Sequence, residues 1–176
     1  MDHRVDLHPL LRDRYSPLTF DPACDLTDRD ATLLLEAARW APSAGNSQPW
    51  AFHLARRGTD EHAALVPLLA PSSRRWAPDA SALVVNLVHR RVAGTDWPYS
   101  DFAEYDVGQA VAHLTIQAHA LGLGCRQFRA FDLDGLSAHL RIDDGWEVLT
   151  MLAVGRPVGP DPGGRQRRGI DDLMIG

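Results

Sequence analysis

The stretch of the chain that says most about fold and function is Ala41-Pro42-Ser43-Ala44-Gly45-Asn46-Ser47-Gln48-Pro49-Trp50. It joins a helical pattern to a strand pattern, and it gathers small residues, side-chain amides and two prolines at that junction. Small residues let a ligand approach the backbone closely, and a side-chain amide offers a donor and an acceptor at one position. The stretch therefore predicts a loop that holds a flat ligand with polar edges.

Length, composition and charge limit the class of protein. The chain has 176 residues, of which 45% are hydrophobic, and this predicts a single domain over residues 1–176 with its own core. Its net charge of -5 argues against nucleic acid or an anionic membrane as the main partner, because both require a basic face. A small molecule is the expected partner, and an anionic one stays possible where arginines cluster.

The types of charged and sulfur-containing residues exclude several chemistries. All 18 basic residues are arginine, so a Schiff-base lysine, a Walker lysine and a lysine general base are excluded. Cys24 and Cys125 lie in no C-x-x-C spacing, which favours two buried thiols over a zinc site or a disulfide framework. The chain shows no apolar export segment and no window near the roughly 18 apolar residues of a membrane span, which predicts a cytoplasmic protein.

The hydrophobic pattern alternates helices with strands. Thr27 and Asp30 form a capping box at the start of the first helix. The segment 96–105 combines aromatic residues with turn formers and is expected to be a lid or a pocket wall. Helices are predicted at 31–40, 61–70, 105–121 and 134–140, strands at 49–54, 81–89, 125–130 and 147–155, and an extended tail at 157–164. This order indicates one sheet with helices on its faces, although strand direction is not readable.

Three patterns resemble known catalytic, metal-binding or dinucleotide-binding motifs, but each lacks a feature that the motif requires. Residues 41–45 imitate the nucleophile elbow of serine hydrolases, but an elbow runs from strand to helix and this segment runs from helix to strand. His113 and His119 are six residues apart on one helix and face different sides, so no metal site is expected. Gly122-Leu123-Gly124 resembles half of a dinucleotide fingerprint but follows a helix, so a helix end is the better interpretation.

Arginines cluster near both ends of the chain. Arg12 and Arg14 precede Ser16, whereas Arg165, Arg167 and Arg168 stand close to the C-terminus. A phosphate bound between these groups would receive charge-assisted hydrogen bonds from both ends, each worth roughly 1.5–3 kcal/mol. The alternative is that both groups are solvated charged segments.

Taken together, these patterns resemble the nitroreductase family of flavin-dependent oxidoreductases along nearly the whole chain. The matching segments are Arg14-Tyr15-Ser16-Pro17 with Phe20-Asp21, Glu36-Ala37-Ala38-Arg39 through Trp50, Asp106-Val107-Gly108-Gln109-Ala110 with residues 118–124, Gly155-Arg156-Pro157, and Arg165 with Arg167. The resemblance implies an α+β fold with a central, mostly antiparallel sheet flanked by helices. It also implies an intertwined homodimer with FMN at the subunit interface.

The same resemblance implies roles for individual residues. Arg14, Ser16, Arg165 and Arg167 would hold the phosphate and ribityl chain of FMN, with Tyr15 and Leu18 in the same motif. Pro42, Ser43, Ala44, Asn46 and Gln48 would reach the flavin from the other subunit. Ser73 stands where the family often has asparagine. Arg129 and Ala130 stand where the backbone faces the hydride-accepting nitrogen of the flavin.

The implied chemistry belongs to the cofactor. FMN would take a hydride from NADH or NADPH and pass it to a nitroaromatic compound, a quinone or a related electrophile in a ping-pong cycle, so no catalytic acid or base is expected. The aromatic residues of the 96–105 segment either form a substrate pocket over the flavin or simply pack; they are Trp97, Tyr99, Phe102 and Tyr105.

The chain departs from the family at the pyrimidine edge of the flavin. Leu18 stands where members commonly have lysine or arginine, and Trp76 stands near the position of a second lysine. Positive charge there stabilises the reduced flavin. We hypothesise from the sequence that Arg74, Arg75 or Arg129 compensates.

Two other functions remain open on the sequence alone. A flavin enzyme of the same fold could act as a dehydrogenase or oxidase on a biosynthetic intermediate. A flavin-binding protein with little turnover is the other alternative, and Leu18 is the main argument for it.

Overall fold

The computed structural model describes residues 7–161, 163 and 165–176 of the chain. Its strands are β1 (Trp50–Arg56), β2 (Ala82–His89), β3 (Gly124–Phe128) and β4 (Trp146–Gly155). Its α-helices are α1 (Pro9–Arg12), α2 (Asp28–Arg39), α3 (Asp60–Leu65), α4 (Pro71–Arg74), α5 (Ala103–Ala120) and α6 (Leu133–Leu140). Single 3-10 turns occur at Ala44–Asn46, Val66–Leu68, Ala77–Asp79 and Asp171–Leu173.

The four strands form one sheet in the order β1-β2-β4-β3, and every neighbouring pair is antiparallel. This order places β2 and β4 in the centre and leaves β1 and β3 at the edges. The α+β class with an antiparallel sheet flanked by helices, which the sequence resemblance implies, is confirmed.

Helices cover both faces of the sheet. On one face α2 and α5 bury Leu34 and Leu114 against Val84, which points from β2. On the other face Leu65 and Leu136 pack with Val85, the next residue of β2. Because alternate residues of a strand point to opposite faces, a strand buried on both sides has an unbroken apolar sequence. This explains why residues 83–85 are all apolar.

Local signals in the sequence fix most of the helix ends. The Thr27 side chain accepts a hydrogen bond from the backbone N–H of Asp30, which confirms the predicted capping box. Gly122 ends α5 with a φ of 75°, as predicted. Gly124 has a different role from the one expected, since it begins β3, and a Cβ there would lie 2.7 Å from the Cγ of Pro17 and 2.8 Å from that of Pro157.

Some segments differ from the sequence-based expectation. Pro67 closes α3 early, so the predicted 61–70 helix becomes a short helix and a 3-10 turn. The helices α1 and α4 were not predicted, because four residues carry no periodic signal. The tail bends at residues 158–160 and does not run straight, and Pro162 and Gly164 lie outside the described residues. None of the described helices is long and apolar enough to cross a membrane.

Candidate functional site

The loop between α2 and β1 has a backbone conformation that few residues adopt readily. Gly45, Asn46 and Gln48 have φ angles of 58°, 56° and 50°, in the left-handed region. For a residue with a side chain this conformation costs roughly 1–3 kcal/mol, and it persists only where surrounding contacts fix it. Such strain concentrates at ligand sites, so the loop has the local geometry of one.

Hydrogen bonds from within the loop and from α5 fix this conformation. The Ser43 hydroxyl oxygen accepts a hydrogen bond from the Gln48 backbone N–H at 3.0 Å and closes the loop on itself. The carboxylate of Asp106, which is only 2% exposed, accepts one from the Ala44 backbone N–H at 2.9 Å. No role for Asp106 follows from the sequence interpretation above, although an acidic residue within the apolar stripe of α5 could have marked it as a buried functional side chain.

The loop presents most of its predicted ligand groups at the surface. The Gln48 side-chain amide donates a hydrogen bond to the Asn46 carbonyl at 3.3 Å, which holds the two amide residues together. The exposed members of the predicted set are Pro42, Ala44, Asn46 and Gln48, and Ser43 is half-buried. Their contact with a cofactor stays a prediction.

Tyr99 ties the segment 96–105 to this loop. Its hydroxyl donates a hydrogen bond to the carbonyl of Ser47 at 2.9 Å. Its ring stacks on His89 with 3.8 Å between centroids, and His89 stacks in turn on Trp146 at 4.6 Å. These contacts favour a fixed wall over a lid, and within one chain they give Tyr99 a packing role.

The other aromatic residues of the segment face outward. Trp97 is 75% exposed, Phe102 58% and Tyr105 69%. Phe102 and Tyr105 line a cleft of about 270 Å³ together with Pro42, Ser43, Ala44, Asp106 and Gln109. The structure therefore brings two predicted groups, the loop and the aromatic segment, to one surface.

Arg12, Arg14 and Tyr15, near one end of the chain, lie against Gly159 and Arg165, near the other. The Arg165 guanidinium donates hydrogen bonds to the backbone carbonyls of Arg14 and Arg12 and pairs with Asp161 at 2.7 Å. The Tyr15 hydroxyl donates to the Gly159 carbonyl at 3.4 Å. These contacts join the described segments near the two ends of the chain into one surface.

Several polar groups at this junction have no partner among the described residues. They include the Arg14 guanidinium and the exposed Ser16 hydroxyl, while Arg167 bonds only the carbonyl of the adjacent Gln166. An adjoining cavity of about 220 Å³ is lined by Arg14, Tyr15, Thr115, His119, residues 122–125 and Pro157. No hydrogen bond or ion pair among the described residues joins this junction to the 42–48 loop, so a single protomer holds the two predicted halves apart.

A guanidinium that the sequence hypothesis missed lies beside Leu18. Arg126 on β3 donates long hydrogen bonds to the carbonyls of Pro17 and Leu18, at 3.5 and 3.4 Å. Its Cζ lies 4.0 Å from the centre of the Trp76 ring. The Leu18 side chain itself is 59% exposed.

The three arginines named in the sequence hypothesis make no such contact. Arg74 donates to the carbonyls of Pro67 and Leu69, which directs its charge into the α3–α4 connection. Arg75 is exposed, and Arg129 borders a cavity with Arg90 and Asp134. No local pattern points to Arg126, because Pro17 and Leu18, whose carbonyls it contacts, are 109 and 108 residues away along the chain.

Ser73 acts on the backbone of Ala130. It is 1% exposed, and its hydroxyl is directed at the carbonyls of Ala70, at 3.1 Å, and of Ala130. The Ala70 N–H also donates to the Ala130 carbonyl at 3.0 Å. These bonds explain why β3 stops at Phe128 rather than at 130, and the N–H of Ala130 has no partner among the described residues.

The titrating groups do not form a nucleophile and base. Burial raises the pKa of the Cys125 thiol to about 12, so this thiol is neutral at physiological pH. The Ser43 oxygen accepts a backbone N–H, and no described histidine hydrogen-bonds it. Within the described residues no cluster of three or more potential metal-binding side chains occurs. The arrangement is suited to holding a ligand that brings its own chemistry.

Comparison with known proteins agrees with this geometry. A sequence model described as the nitroreductase family matches residues 11–96. A crystal structure described as an oxidoreductase containing FMN is 31% identical, with a TM-score of 0.82, over 89% of this chain and 79% of that one.

Two further matches differ in extent. A nitroreductase family protein from Streptococcus pneumoniae TIGR4 has the same fold, with 18% identity and a TM-score of 0.82 over 96% of this chain and 98% of that one. The major NAD(P)H-flavin oxidoreductase of Aliivibrio fischeri is 42% identical over 48 residues, which are 26% of this chain and 22% of that protein. The fold, the match over residues 11–96 and the similarity to the FMN-containing oxidoreductase together show that this chain belongs to the nitroreductase family.

Proposed function

We propose that this protein is an FMN-dependent oxidoreductase that uses NADPH or NADH to reduce nitroaromatic compounds, quinones or related small electrophiles. The observation that carries the proposal is the junction of the two chain ends, where Arg14 and Ser16 have no partner among the described residues. Family membership and the similarity to an FMN-containing oxidoreductase support it. Residues 1–176 would act as one FMN-binding domain in the cytoplasm, where both nicotinamides are available.

The residues at the junction fit a phosphorylated ligand. Arginine is well suited to phosphate because its planar guanidinium offers several donors. Arg14 and Ser16 are unpartnered among the described residues, and Arg165 is held in place by two backbone carbonyls and Asp161. We assign the phosphate and ribityl chain to Arg14, Ser16, Arg165 and Arg167, with Tyr15 supporting the turn.

The backbone near α4 fits the edge of a flat ring. A loop N–H without a partner is uncommon unless water or a ligand satisfies it. The Ala130 N–H is such a group, and Ser73 and Ala70 hold the carbonyl of the same residue, in the next peptide group. In this proposal Ala130 and Arg129 offer backbone donors to the ring, and Ser73 positions them without touching the ligand.

A second copy of the chain would complete the site. The loop residues Pro42, Ser43, Ala44, Asn46 and Gln48 are not connected to Arg14 within a protomer, so we propose that they come from the partner of an intertwined homodimer. Exposed apolar side chains support a dimer, because a monomer would leave them in water. In the C-terminal segment these are Ile170, Leu173, Met174 and Ile175.

The chain's own residues bind and orient the reactants. Bound FMN would supply the redox chemistry in a ping-pong cycle, with hydride from the nicotinamide entering and the electrophile leaving reduced. Phe102 and Tyr105 line the cleft beside the loop and would exclude water above the ring, and Trp97 would extend that wall. Tyr99 holds the wall to the loop through Ser47.

A spectroscopic experiment tests the proposal. The purified protein should be yellow, should release FMN on heating, and should lose flavin absorbance when NADPH or NADH is added without oxygen. Addition of a quinone or nitroaromatic compound should restore the colour. Protein that is colourless and takes up no added FMN would contradict the proposal.

A partial result would favour one of the alternatives. Bound FMN that neither nicotinamide reduces would indicate a dehydrogenase or oxidase of the same fold, or a flavin-binding protein with little turnover.

The variant Arg14→Gln should weaken FMN binding about tenfold or more, since a charge-assisted hydrogen bond contributes roughly 1.5–3 kcal/mol. Arg29→Gln, an exposed arginine on α2, is the matched control and should leave FMN binding unchanged.

A further inference from the structure

Arg126 is held in an unusual environment for a surface arginine. Its guanidinium lies over the indole of Trp76, 4.0 Å from the ring centre, and its NH1 points to the carbonyls of Pro17 and Leu18. A guanidinium prefers this stacked arrangement because the ring face is electron-rich and the flat surfaces pack closely. The charge is therefore fixed beside the segment that also carries Ser16.

The sheet determines where this side chain points. Arg126 lies opposite Ala153 of β4, which belongs to the core face that contains Leu65 and Leu136. Its sequence neighbour Cys125 lies opposite Val154 and faces the α5 side. β3 is an edge strand, so Arg126 is at the border of the sheet where the N-terminal segment crosses.

The aromatic platform under Arg126 is itself rigid. The Trp76 ring packs edge-on against Phe128, with 5.1 Å between centroids, and at a tilt against Phe20, with 6.3 Å. Phe128 leaves the same face of β3 two residues after Arg126. The charge thus rests on packed side chains, so its position does not depend on a flexible loop.

Arg126 makes no ion pair among the described residues, and its two hydrogen bonds use only NH1. Many other arginines of the chain do pair with carboxylates, among them Arg57, Arg90 and Arg165. An unneutralised guanidinium that is fixed in place and still has unused donors is suited to a ligand that carries or acquires negative charge.

We propose that Arg126 supplies the positive charge that faces the pyrimidine end of FMN in this protein, and that Trp76 positions it. This inference rests on the proposed function. Leu18 offers no charge on this segment, and Arg126 reaches the same place from β3. Charge near the ring nitrogens tunes the electronics of a flavin, and a fixed cation favours the reduced form because reduction makes the ring more negative.

The test is the reduction potential of bound FMN in purified protein, measured by equilibration with a reference dye. Arg126→Gln should shift the equilibrium toward oxidised FMN about tenfold, which corresponds to about 30 mV for a two-electron couple. Arg126→Lys keeps the charge and should keep most of the potential. Trp76→Leu removes the platform and should give an intermediate shift. Arg29→Gln, which removes an exposed arginine of α2 far from the proposed site, is the control and should show no shift.

The outcomes separate the two proposals. Wild-type protein that binds no FMN contradicts the proposed function. Wild-type protein that binds FMN, together with an Arg126→Gln variant of unchanged potential, contradicts only the role of Arg126. If Arg126→Gln does not fold, Arg126→Lys decides, because an equilibrium shifted about tenfold or more toward oxidised FMN despite the retained charge would overturn the proposal.

Discussion

The carboxylate of Asp106 accepts a hydrogen bond from the backbone N–H of Ala44 across 62 residues of sequence. This bond joins the first turn of α5 to a loop with three left-handed residues. We expect Asp106→Ala to cost about 1–3 kcal/mol of unfolding free energy, because it leaves a backbone donor unpaired. It should also weaken FMN binding.

Asp106→Asn is the matched variant, because its amide oxygen can still accept from Ala44. Denaturant unfolding and a fluorescence titration with FMN measure both effects. Equal losses for the alanine and asparagine variants would show that the bond to Ala44 does not hold the loop.

Variants of Tyr99 distinguish the contribution of its hydrogen bond to stability from that of its ring stack. Tyr99→Phe keeps the stack on His89 but loses the bond to the Ser47 carbonyl, and we expect a loss of about 1 kcal/mol in stability. Tyr99→Leu loses both and should be less stable still. Thermal unfolding measures the difference, and a phenylalanine variant as unstable as the leucine variant would place the whole effect in the hydroxyl.

Substitutions at Gly108 of α5 test the proposed dimer. It lies on the exposed side of α5, where a Cβ would meet nothing within 4 Å in the protomer. In a monomer Gly108→Ala should stabilise the helix by about 1 kcal/mol, because glycine is a poor helix former. If this face of α5 packs against a second copy, Gly108→Leu should instead produce monomer and release FMN.

Analytical ultracentrifugation measures the state of the Gly108 variants. Arg29→Leu, which places leucine at an exposed position of α2, is the control and should not alter the oligomeric state. A fully dimeric Gly108→Leu variant would exclude this helix face from the interface.

His62 makes the stability depend on pH. Burial is the main cause that lowers its pKa from 6.5, and the charge of Arg57 adds to it. A folded pKa below the unfolded value means that the unfolded chain takes up the proton first. The contribution of neutral, buried His62 to the free energy of unfolding is therefore complete above about pH 6.5, and it is lost as pH falls through the lowered folded pKa.

Urea unfolding at pH 7.5 and at pH 5 measures this loss. His62→Gln cannot titrate in this range, so its unfolding free energy should decrease less between the two pH values. His53, whose pKa burial also lowers, is expected to contribute to the pH dependence in the same direction. A His62→Gln variant with the wild-type pH dependence would contradict this account.

Much of the fold follows from local patterns in the sequence. The Thr27 capping box, the stripe along α5 and the apolar run of β2 each act over a few residues, so the sequence alone predicts those elements within a few positions. Short elements such as α1 and α4 have too few residues for a periodic pattern. Strand direction is not readable from the sequence, because strand pairing is decided by contacts between distant segments.

The candidate site shows the same difference between residues found from local patterns and residues that act through long-range contacts. The loop residues and the terminal arginines belong to contiguous motifs, and the sequence identifies them as candidates. Asp106 and Arg126 contact segments that are far away in the chain. Only the folded structure shows that Asp106 bonds the backbone of Ala44 and that Arg126 bonds the carbonyl of Leu18. Arg74 shows the same limit, because the sequence does not reveal that its donors turn to the carbonyls of Pro67 and Leu69.

The contact between Arg165 and the carbonyl of Arg14 spans 151 residues. Contacts of such long sequence separation form late in folding, because closing the intervening chain costs entropy before any contact repays it. If the cofactor sits at this junction, it can bind tightly only to chains that have already brought their ends together. The yellow colour of a preparation would then report the fraction of molecules that have completed folding, and a variant that folds poorly would be recognised by eye before a single rate is measured.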